Sequence, residues 1–293
     1  MDAKDGGQKI VCVTGGSVFI GSWAYDEKET KHLQALEEHK SNRLHLFQID
    51  LLDYDSIVKA ISGVAGVFHL ASPCNVDRVD DPEKELLEPE IKGTKNVPMA
   101  AKELGVRRVV ITSSMLAIIP SPYWPADVAK NEDCWTDVES LIDVVHSGAS
   151  KTLAEKAAWE FAKEKGLDMV VVNPGAAMGP ILPPTINTSM LVILRLLQET
   201  YEDLFIGSVH VKDVALAHML VYENPSASGR HLRFVSSLIL VTLQPSLPKD
   251  TNPVLVRSTD ASKKLMDLGL QFTLIEQIIK DSVESLKSKG FLP

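Results

Sequence analysis

Cysteine is scarce in this chain, and no stretch of it is long and apolar enough to span a lipid bilayer. The 293 residues include three cysteines, Cys12, Cys74 and Cys134, which are odd in number and widely scattered. This usage favours reduced thiols over a disulfide framework or a metal site. The first residues, MDAKDGGQ, also lack the apolar core of a signal peptide. The sequence therefore predicts a cytoplasmic protein without a membrane anchor.

Positive charge is in deficit as well. The chain carries 30 lysines and arginines against 39 aspartates and glutamates, a net charge of -9. This balance gives no basic surface of the kind that binds nucleic acid or anionic lipid, so we expect neither partner. A composition of 45% hydrophobic and 24% charged residues is typical of a globular enzyme. The length suits one large α/β domain or a nucleotide domain with a smaller lobe.

An apolar run that ends in a cluster of glycines stands near the start of the chain. Ile10 to Val13 favours a strand buried on both faces at the centre of a parallel sheet. Gly15, Gly16 and Gly21 would let the backbone turn towards a phosphate at the start of a helix, although such a cluster also fits an ordinary strand-to-helix turn. The tight dinucleotide pattern has a glycine at position 18, where this chain has Val18. A β-branched side chain occupies the space of the pyrophosphate, so we expect an impaired cradle.

Apolar strands and amphipathic helices alternate further along, which predicts an α/β protein with a doubly wound parallel (Rossmann) sheet. The predicted strands are 44–49, 66–71, 108–112, 169–172 and 230–235, and the predicted helices are 22–40, 83–104, 151–165, 189–198, 211–222, 262–268 and 274–289. Pro98 should cost its helix ~3 kcal/mol unless the helix kinks there. The Pro-rich segment 238–253 is predicted as a loop.

The first part of the sheet is too short to be complete. A full doubly wound domain has a second strand soon after the first helix, and that strand ends in a residue that reads the adenosine ribose. Only about twenty residues separate Gly21 from Leu44, too few for helix, strand and helix. One βα unit is therefore predicted to be missing. We expect strand 44–49 to move beside the first strand, because an empty position leaves backbone groups unpaired, and Asp50 to take over the ribose contact.

The division of the chain follows from this pattern. We expect a dinucleotide-binding domain at 1–175 and a small, mixed substrate lobe at 176–293, with 209–224 returning to the first domain. Hydride transfer to a carbonyl needs a proton donor, a hydrogen-bond donor to the carbonyl oxygen and a cation near the nicotinamide ribose. One large class of oxidoreductases uses a tyrosine, a serine after a central strand, and a lysine four residues past the tyrosine, on the same helix face. Ser114 and Lys151 stand at the serine and lysine positions.

Several segments spread over nearly the whole chain carry a family resemblance. They are TGGSVFIGSW, VFHLASP, VVITSSM, SKTLAEKAAWEFAKEKG, VVNPGAAMGP, VHVKDVALAH and LMDLGLQF. In these segments the chain resembles the extended short-chain dehydrogenase/reductases of the plant cinnamoyl-CoA reductase and dihydroflavonol reductase group. The resemblance implies a doubly wound fold, NADPH as cofactor, and a monomer or dimer in the cytosol. It also implies reduction of an aldehyde, ketone or CoA thioester of a phenylpropanoid-type aromatic substrate.

The resemblance also assigns roles to individual residues. It implies that Ser114 holds the carbonyl oxygen and that Lys151 binds the ribose. It implies cofactor contacts at Gly15, Ser17, Phe19, Ile20, Gly21, Asp50, Leu51, Ala71, Ser72, Pro73, Lys151, Pro174 and Gly175. The catalytic tyrosine of the family falls at position 147, where this chain has Ser147.

The serine at position 147 removes the expected acid. A phenol has a pKa near ~10 that an ammonium can lower, whereas a serine hydroxyl is a far poorer acid and is too short to reach the same oxygen. His146 titrates in a useful range, but on a helix it points about 100° away, which favours an ordinary surface histidine. The basic residue that selects NADPH would lie in the missing unit, so NAD stays possible. The NWYCYGK-like signature of cinnamoyl-CoA reductases is absent as well.

Two functions therefore remain open. One is an NADPH-dependent reductase of phenylpropanoid-type carbonyls whose activity is impaired. The other is a catalytically degenerate relative with a cofactor-binding or regulatory role. This second function is favoured by Val18, Pro98, Ser147 and the missing unit. Structural roles are favoured over functional ones for the remaining candidates: Ser113 as a packed or capping hydroxyl rather than a catalytic group, His210 with Lys212 and Asp213 as a helix start rather than a metal site, Met115, Met178 and Met190 as core rather than the lining of a substrate pocket, and Glu155 with Lys156 as a solvated helix face.

Overall fold

The computed structural model describes residues 10–16, 44–72, 84, 87–118, 131–141, 146–183, 185–197, 207–233 and 262–292. The strands among these residues are β1 (Val11–Thr14), β2 (Gly66–His69), β3 (Arg108–Thr112), β4 (Met169–Pro174), β5 (Ala176–Met178), β6 (Ser208–His210) and β7 (Gly229–Arg233). The helices are α1 (Tyr54–Ile61), α2 (Glu88–Glu103), α3 (Val138–Leu141), α4 (His146–Lys165), α5 (Thr188–Leu197), α6 (Val211–Glu223), α7 (Lys263–Asp267) and α8 (Ile275–Ser288). Within this part of the chain no helix is both long enough and apolar enough to cross a membrane.

The main sheet is parallel and has the strand order β1-β2-β3-β4-β7. Side chains of a strand alternate between its two faces, and here both faces are covered. Val109, Ile111 and Val171 face a core that α1, α2 and α4 complete. Val110 and Val172 face a second core with α6. Helices on both sides of a parallel sheet confirm the predicted doubly wound fold.

The position of β1 corrects the expectation of a central strand buried on both faces. In the described residues β1 pairs with β2 alone and forms the edge of the sheet. Ile10, Val11 and Val13 are 60%, 37% and 48% exposed. An edge strand has a neighbour on one side only, so side chains that a second neighbour and its helix would cover stay open to water.

Residues 44–49 do not form the predicted strand. They have no ladder partner among the described residues, and Phe47 is 62% exposed. The segment is mostly apolar, but a strand also needs a paired neighbour. The segment instead leads into a turn in which the amide of Asp53 donates to the carbonyl of Asp50 at 3.0 Å.

Helix α1 directly follows this turn and was not predicted. Asp53 caps its N-terminus, because the carboxylate accepts hydrogen bonds from the amides of Asp55 and Ser56. Ile57, Ala60 and Ile61 are buried, and Ile57 and Ile61 belong to the core that packs against β2 and β3. The capped turn and this apolar stripe together account for the helix.

Helix α2 passes through Pro98 without ending there. Proline has no amide hydrogen, so the carbonyl of Thr94 loses its usual helical donor. Val97, Ala100 and Ala101 are fully buried against the sheet and α4. Burial of this face therefore offsets the helix-breaking effect of the proline.

A smaller core lies at the C-terminal end of the described chain. The strands β5 and β6 pair in parallel, and α5 and α8 pack beside them. Met178 and Met190 are buried in this core, as expected for core residues, whereas Met115 is partly buried against Ile118 and Leu232. Helix α6 leaves this region to pack on β3 and β4, and β7 joins the main sheet. The division at residue 175 stays a prediction.

Candidate functional site

The residues assigned to the cofactor and the carbonyl lie at the carboxyl ends of the parallel strands. β1 ends in Thr14 and is followed by Gly15, which turns the chain with φ 73°. Such a positive φ favours glycine. Ser72 follows β2, Ser114 follows β3, and Pro174 ends β4. Ligands of open α/β sheets bind at this edge, so the fold brings these positions to the expected place.

The ends of β1 and β2 are tied together by Thr14 and His69. The Thr14 hydroxyl is hydrogen-bonded to Nδ1 of His69 at 2.8 Å, and the amide of Ala71 donates to the same hydroxyl at 3.2 Å. Burial, and secondly the charge of Lys151, lowers the pKa of His69 to about 3. Its Nε2 is buried and has no hydrogen-bond partner among the described residues. His69 is therefore a neutral imidazole next to the lysine of the site.

Lys151 is paired with an acid that the sequence did not single out. Its ammonium donates to Oε1 of Glu90 at 3.0 Å and to the hydroxyl of Ser72. The Ser72 hydroxyl in turn donates to Oε2 of Glu90 at 2.7 Å. The Glu90 side chain is 3% exposed and that of Lys151 16%. Lys151 and Ser72, which the resemblance assigned to one cofactor site, thus meet around a buried carboxylate.

Ser114 lies at the start of the short 3-10 helix Met115–Ala117. Its Oγ accepts a hydrogen bond from the amide of Leu116 at 3.1 Å, and its carbonyl accepts one from Nδ2 of Asn173 at 3.2 Å. The hydroxyl keeps its hydrogen for donation, because a serine both donates and accepts. The geometry therefore leaves Ser114 able to hold a carbonyl oxygen.

Glu155 corrects the expectation of a solvated helix face. It is 1% exposed, and its carboxylate accepts hydrogen bonds from the Ser113 hydroxyl at 2.6 Å and from Nδ2 of Asn173 at 2.8 Å. It also forms an ion pair with Nε of Arg230 at 2.6 Å. A charged group is buried only when it is paired, and the partner here comes from β7, far away in the sequence. Ser113 is confirmed as a packed hydroxyl.

Arg230 extends this network to the segment after β3. Its guanidinium donates to the carbonyls of Ala117 at 3.1 Å and Glu132 at 3.0 Å. It also lies 3.8 Å from the centroid of the Trp135 ring. Glu155 and Arg230 together hold Ser113, Asn173 and the residues around Ser114 in place.

Asp50 and Leu51 occupy different environments. Asp50 is exposed, and its Oδ1 accepts from the amide of Leu52 at 2.8 Å. Leu51 is 6% exposed and lies in the core against Gly93, while its carbonyl accepts from Nδ2 of Asn96 at 2.8 Å. Asp50 therefore opens a turn and does not follow a strand. The cofactor contacts that the resemblance implies for both residues stay predictions.

Several assigned residues lie outside the described part of the chain. They are Ser17, Phe19, Ile20, Gly21 and Pro73, together with Val18 and the predicted segments 22–40 and 238–253. His146 and Ser147 form the first turn of α4, but their side chains are also outside it. Ala71 follows β2, and Gly175 separates β4 from β5, at the edge where the cofactor is expected.

His210 opens helix α6, as predicted. Its Nδ1 accepts from the amide of Lys212 at 3.1 Å, and its Nε2 donates to Asp281 of α8 at 3.1 Å. Across the described ranges no three histidines, cysteines or acids are grouped in a way that could hold a metal ion. The histidine is a structural link between β6 and α8.

The described donors fit the nicotinamide ribose of a dinucleotide. An ammonium (Lys151) and a hydroxyl (Ser72) meet at the carboxyl end of β2, beside a strand that ends in a glycine turn. Among the described residues, a Cβ added at Gly16 would meet only the carbonyl of Val13, at 3.8 Å, which is ordinary van der Waals contact. A doubly wound sheet with such donors at its carboxyl edge is typical of the class of dinucleotide-binding proteins.

Comparison with known proteins names the family within that class. Residues 11–234 match the model of the NAD dependent epimerase/dehydratase family, and the chain belongs to it. It is an NAD(P)-dependent oxidoreductase by family. The chain is 41% identical to cinnamoyl-CoA reductase 2 of Medicago truncatula, over 98% of this chain and 94% of that protein.

Solved structures agree with the fold. Vestitone reductase from alfalfa superposes with a TM-score of 0.76 at 27% identity, covering 96% of this chain and 99% of the other. The yeast methylglyoxal/isovaleraldehyde reductase Gre2, complexed with NADPH, superposes with a TM-score of 0.78 at 25% identity, covering 96% and 99%. These matches extend over nearly the whole chain.

The alignment with the Medicago reductase is longer than this chain. It runs over 322 positions, whereas the chain has 293 residues. Part of that relative therefore has no counterpart here. The predicted loss of one βα unit is consistent with this difference and stays a prediction.

Proposed function

We propose that this protein is an NADPH-dependent reductase of phenylpropanoid-type carbonyls whose turnover is impaired. The substrate class is an aromatic aldehyde or ketone, or a cinnamoyl-CoA thioester. The observation that carries the proposal is the meeting of Lys151 and Ser72 at the carboxyl end of β2, in a chain 41% identical to a cinnamoyl-CoA reductase. We further propose that the protein works in the cytosol as a monomer or dimer, without nucleic-acid or membrane partners.

The roles of the chain's own residues follow from the site. NADPH would supply the hydride. Lys151 and Ser72 would hold the nicotinamide ribose, and the Ser114 hydroxyl would hold the carbonyl oxygen and stabilise the charge that develops on it. Gly15 and Gly16 would turn under the pyrophosphate, and Pro174 and Gly175 would border the nicotinamide.

The proton for the new alcohol is the step that the chain supplies poorly. Position 147 lies one helical turn before Lys151 on α4, the place from which a tyrosine phenol would deliver it. A serine hydroxyl is shorter and far less acidic than a phenol. General acid catalysis typically contributes about 10²–10⁴-fold, so its loss explains an impaired rather than an abolished reaction.

NADPH is preferred in this proposal over NADH. The yeast Gre2 structure was solved with NADPH, which supports the choice. The segment that would read the 2'-phosphate belongs to the predicted missing unit, so discrimination between the two nucleotides should be weak.

The second candidate is a cofactor-binding relative without catalysis. The buried ion pair between Glu90 and Lys151 favours it, since the lysine of the site is already bound to an acid. This candidate predicts that NADPH binds and that no carbonyl is reduced.

One pair of measurements separates the candidates. NADPH binding is followed by fluorescence, and NADPH oxidation is then measured with coniferaldehyde, a cinnamoyl-CoA ester and a dihydroflavonol. Lys151→Met should weaken NADPH binding by about 10-fold, because it removes a charge-assisted hydrogen bond. Lys163→Met is the matched control, since Lys163 is exposed on the same helix. Binding with slow reduction of one of the three substrates supports the reductase, and equal binding by both variants contradicts the assigned site.

A further inference from the structure

Glu90 places a buried negative charge against the lysine of the site. The carboxylate lies on α2, and its side chain is 3% exposed. Its two oxygens are engaged at once, Oε1 by Lys151 at 3.0 Å and Oε2 by the Ser72 hydroxyl at 2.7 Å. The ion pair is therefore held in a fixed arrangement by a third group, and it is shielded from water.

Among the residues that the structure describes, the other ionisable groups near Lys151 do not oppose this pairing. His69, from the end of β2, is neutral because burial, and secondly Lys151, lowers its pKa to about 3. Glu155, one turn further along α4, forms its ion pair with Arg230 at 2.6 Å. Within the described ranges Glu90 is therefore the carboxylate that is ion-paired with Lys151.

We infer that Glu90 neutralises Lys151 and withholds its charge from position 147, so that Glu90 is a second obstacle to proton delivery besides Ser147. Glu90 is in this sense a positioning residue, because it acts through Lys151 rather than on substrate. The consequence for proton delivery rests on the proposed function. The effect of Glu90 on the charge of Lys151 can be measured without cofactor.

The size of the effect follows from electrostatics. A single positive charge within about 4–6 Å lowers the pKa of a neighbouring acid by about 1–3 units. When a carboxylate lies at 3.0 Å from that charge, a group one helical turn away meets a dipole instead of a net charge. A tyrosine restored at position 147 should therefore keep a nearly ordinary phenol pKa as long as Glu90 is present.

The test titrates an introduced tyrosine. Ser147→Tyr is compared with the double variant Ser147→Tyr/Glu90→Gln. The phenolate of residue 147 is followed by ultraviolet difference spectroscopy, with the otherwise identical protein that keeps Ser147 as the reference. We expect the phenol pKa to be lower by one unit or more in the double variant. Adding Lys151→Met should abolish this difference.

Glu88→Gln is the matched control. It makes the same change of charge on the same helix two residues earlier, at an exposed position. It should leave the phenol pKa unchanged. An equal shift from Glu88→Gln and Glu90→Gln, or a phenol that is already strongly acidic in Ser147→Tyr alone, would overturn the inference.

A second measurement does not depend on the tyrosine variants folding. Lys151→Met leaves Glu90 buried without its cation, so the urea midpoint should fall, and adding Glu90→Gln should restore most of the loss. Strictly additive effects of the two substitutions would show that the pair is not coupled and would overturn the inference. Both experiments use protein without NADPH and therefore test only the role of Glu90. A failure to bind or oxidise NADPH contradicts the proposed function and leaves the result for Glu90 unchanged.

Discussion

The guanidinium of Arg230 on β7 forms an ion pair with the buried carboxylate of Glu155 on α4, with 2.6 Å between Nε and Oε1. The two side chains are 7% and 1% exposed. The carboxylate also accepts from Asn173, whose amide group donates to the carbonyl of Ser114. One buried pair thus joins the last strand of the sheet to the loop that carries Ser114, the serine proposed to hold the carbonyl oxygen.

Breaking this pair on one side should strongly destabilise the protein. Arg230→Met leaves the carboxylate of Glu155 buried without its cation, and we expect a loss of about 3–5 kcal/mol in the free energy of unfolding. The double variant Arg230→Met/Glu155→Gln should recover a large part of this loss. Urea unfolding measures both, and Lys165→Met, which breaks an exposed pair with Glu164, should change little. If Arg230→Met and Lys165→Met lowered the free energy of unfolding equally, burial would not explain the importance of the Arg230–Glu155 pair.

Removing the proline inside α2 should stabilise the fold. Pro98→Ala restores an amide for the carbonyl of Thr94, and we expect a gain of about 1–3 kcal/mol, reduced from the full cost of an interior proline by lost packing. Pro89→Ala is the control, because Pro89 lies in the first turn, where amides have no helical acceptor. Thermal unfolding should show a higher midpoint for Pro98→Ala alone. A lower midpoint would mean that packing of the ring outweighs the hydrogen bond.

Acid should weaken the fold through its buried histidines. Nδ1 of His218 donates to the Val214 carbonyl at 2.7 Å, and Nε2 is bonded to the Thr112 hydroxyl at 2.6 Å. Burial lowers the pKa of His218 from 6.5 to about 4. The unfolded state therefore takes up a proton first as the pH falls. This contribution to stability is complete above pH 6.5 and is lost as the pH falls towards 4.

The measurement is urea unfolding over a series of pH values between these limits. His218→Gln should be less stable than the unmodified protein at neutral pH, and its stability should fall less steeply towards pH 4. The remaining slope should come partly from His69, whose pKa burial lowers to about 3. Identical slopes for both proteins would show that His218 is not the titrating group.

Apolar runs and helical periodicity predicted most of the helices and strands, because these local patterns show which side chains are buried. The apolar strands β3 and β4 and the helices α4, α5, α6 and α8 lie where the periodicity places them. Residues 44–49 are mostly apolar, as in a buried strand, yet a strand depends on a neighbour that the sequence does not identify. Helix α1 was missed, although Asp53 followed by Asp55 is a recognisable helix start.

The site was predictable only in part, for a related reason. The roles of Ser114 and Lys151 come from short segments that resemble a known family, and such segments are local in the sequence. Glu90 and Arg230 gain their roles from contacts across the fold, and a charged residue on a helix otherwise resembles a solvent-facing one. Glu155 shows the same limit, since the sequence AEKAA carries no sign that its partner is Arg230.

The central claim is that the chain retains the reductase scaffold and lacks the phenol that delivers the proton. The most direct measurement is the rate of NADPH oxidation with a cinnamoyl-CoA ester by Ser147→Tyr and by the unmodified protein. We predict slow turnover by the unmodified protein and a gain in kcat of about tenfold or more in the variant, moving towards the 10²–10⁴ range of a general acid when Glu90→Gln is added. Rapid turnover by the unmodified protein that Ser147→Tyr does not exceed would contradict the account.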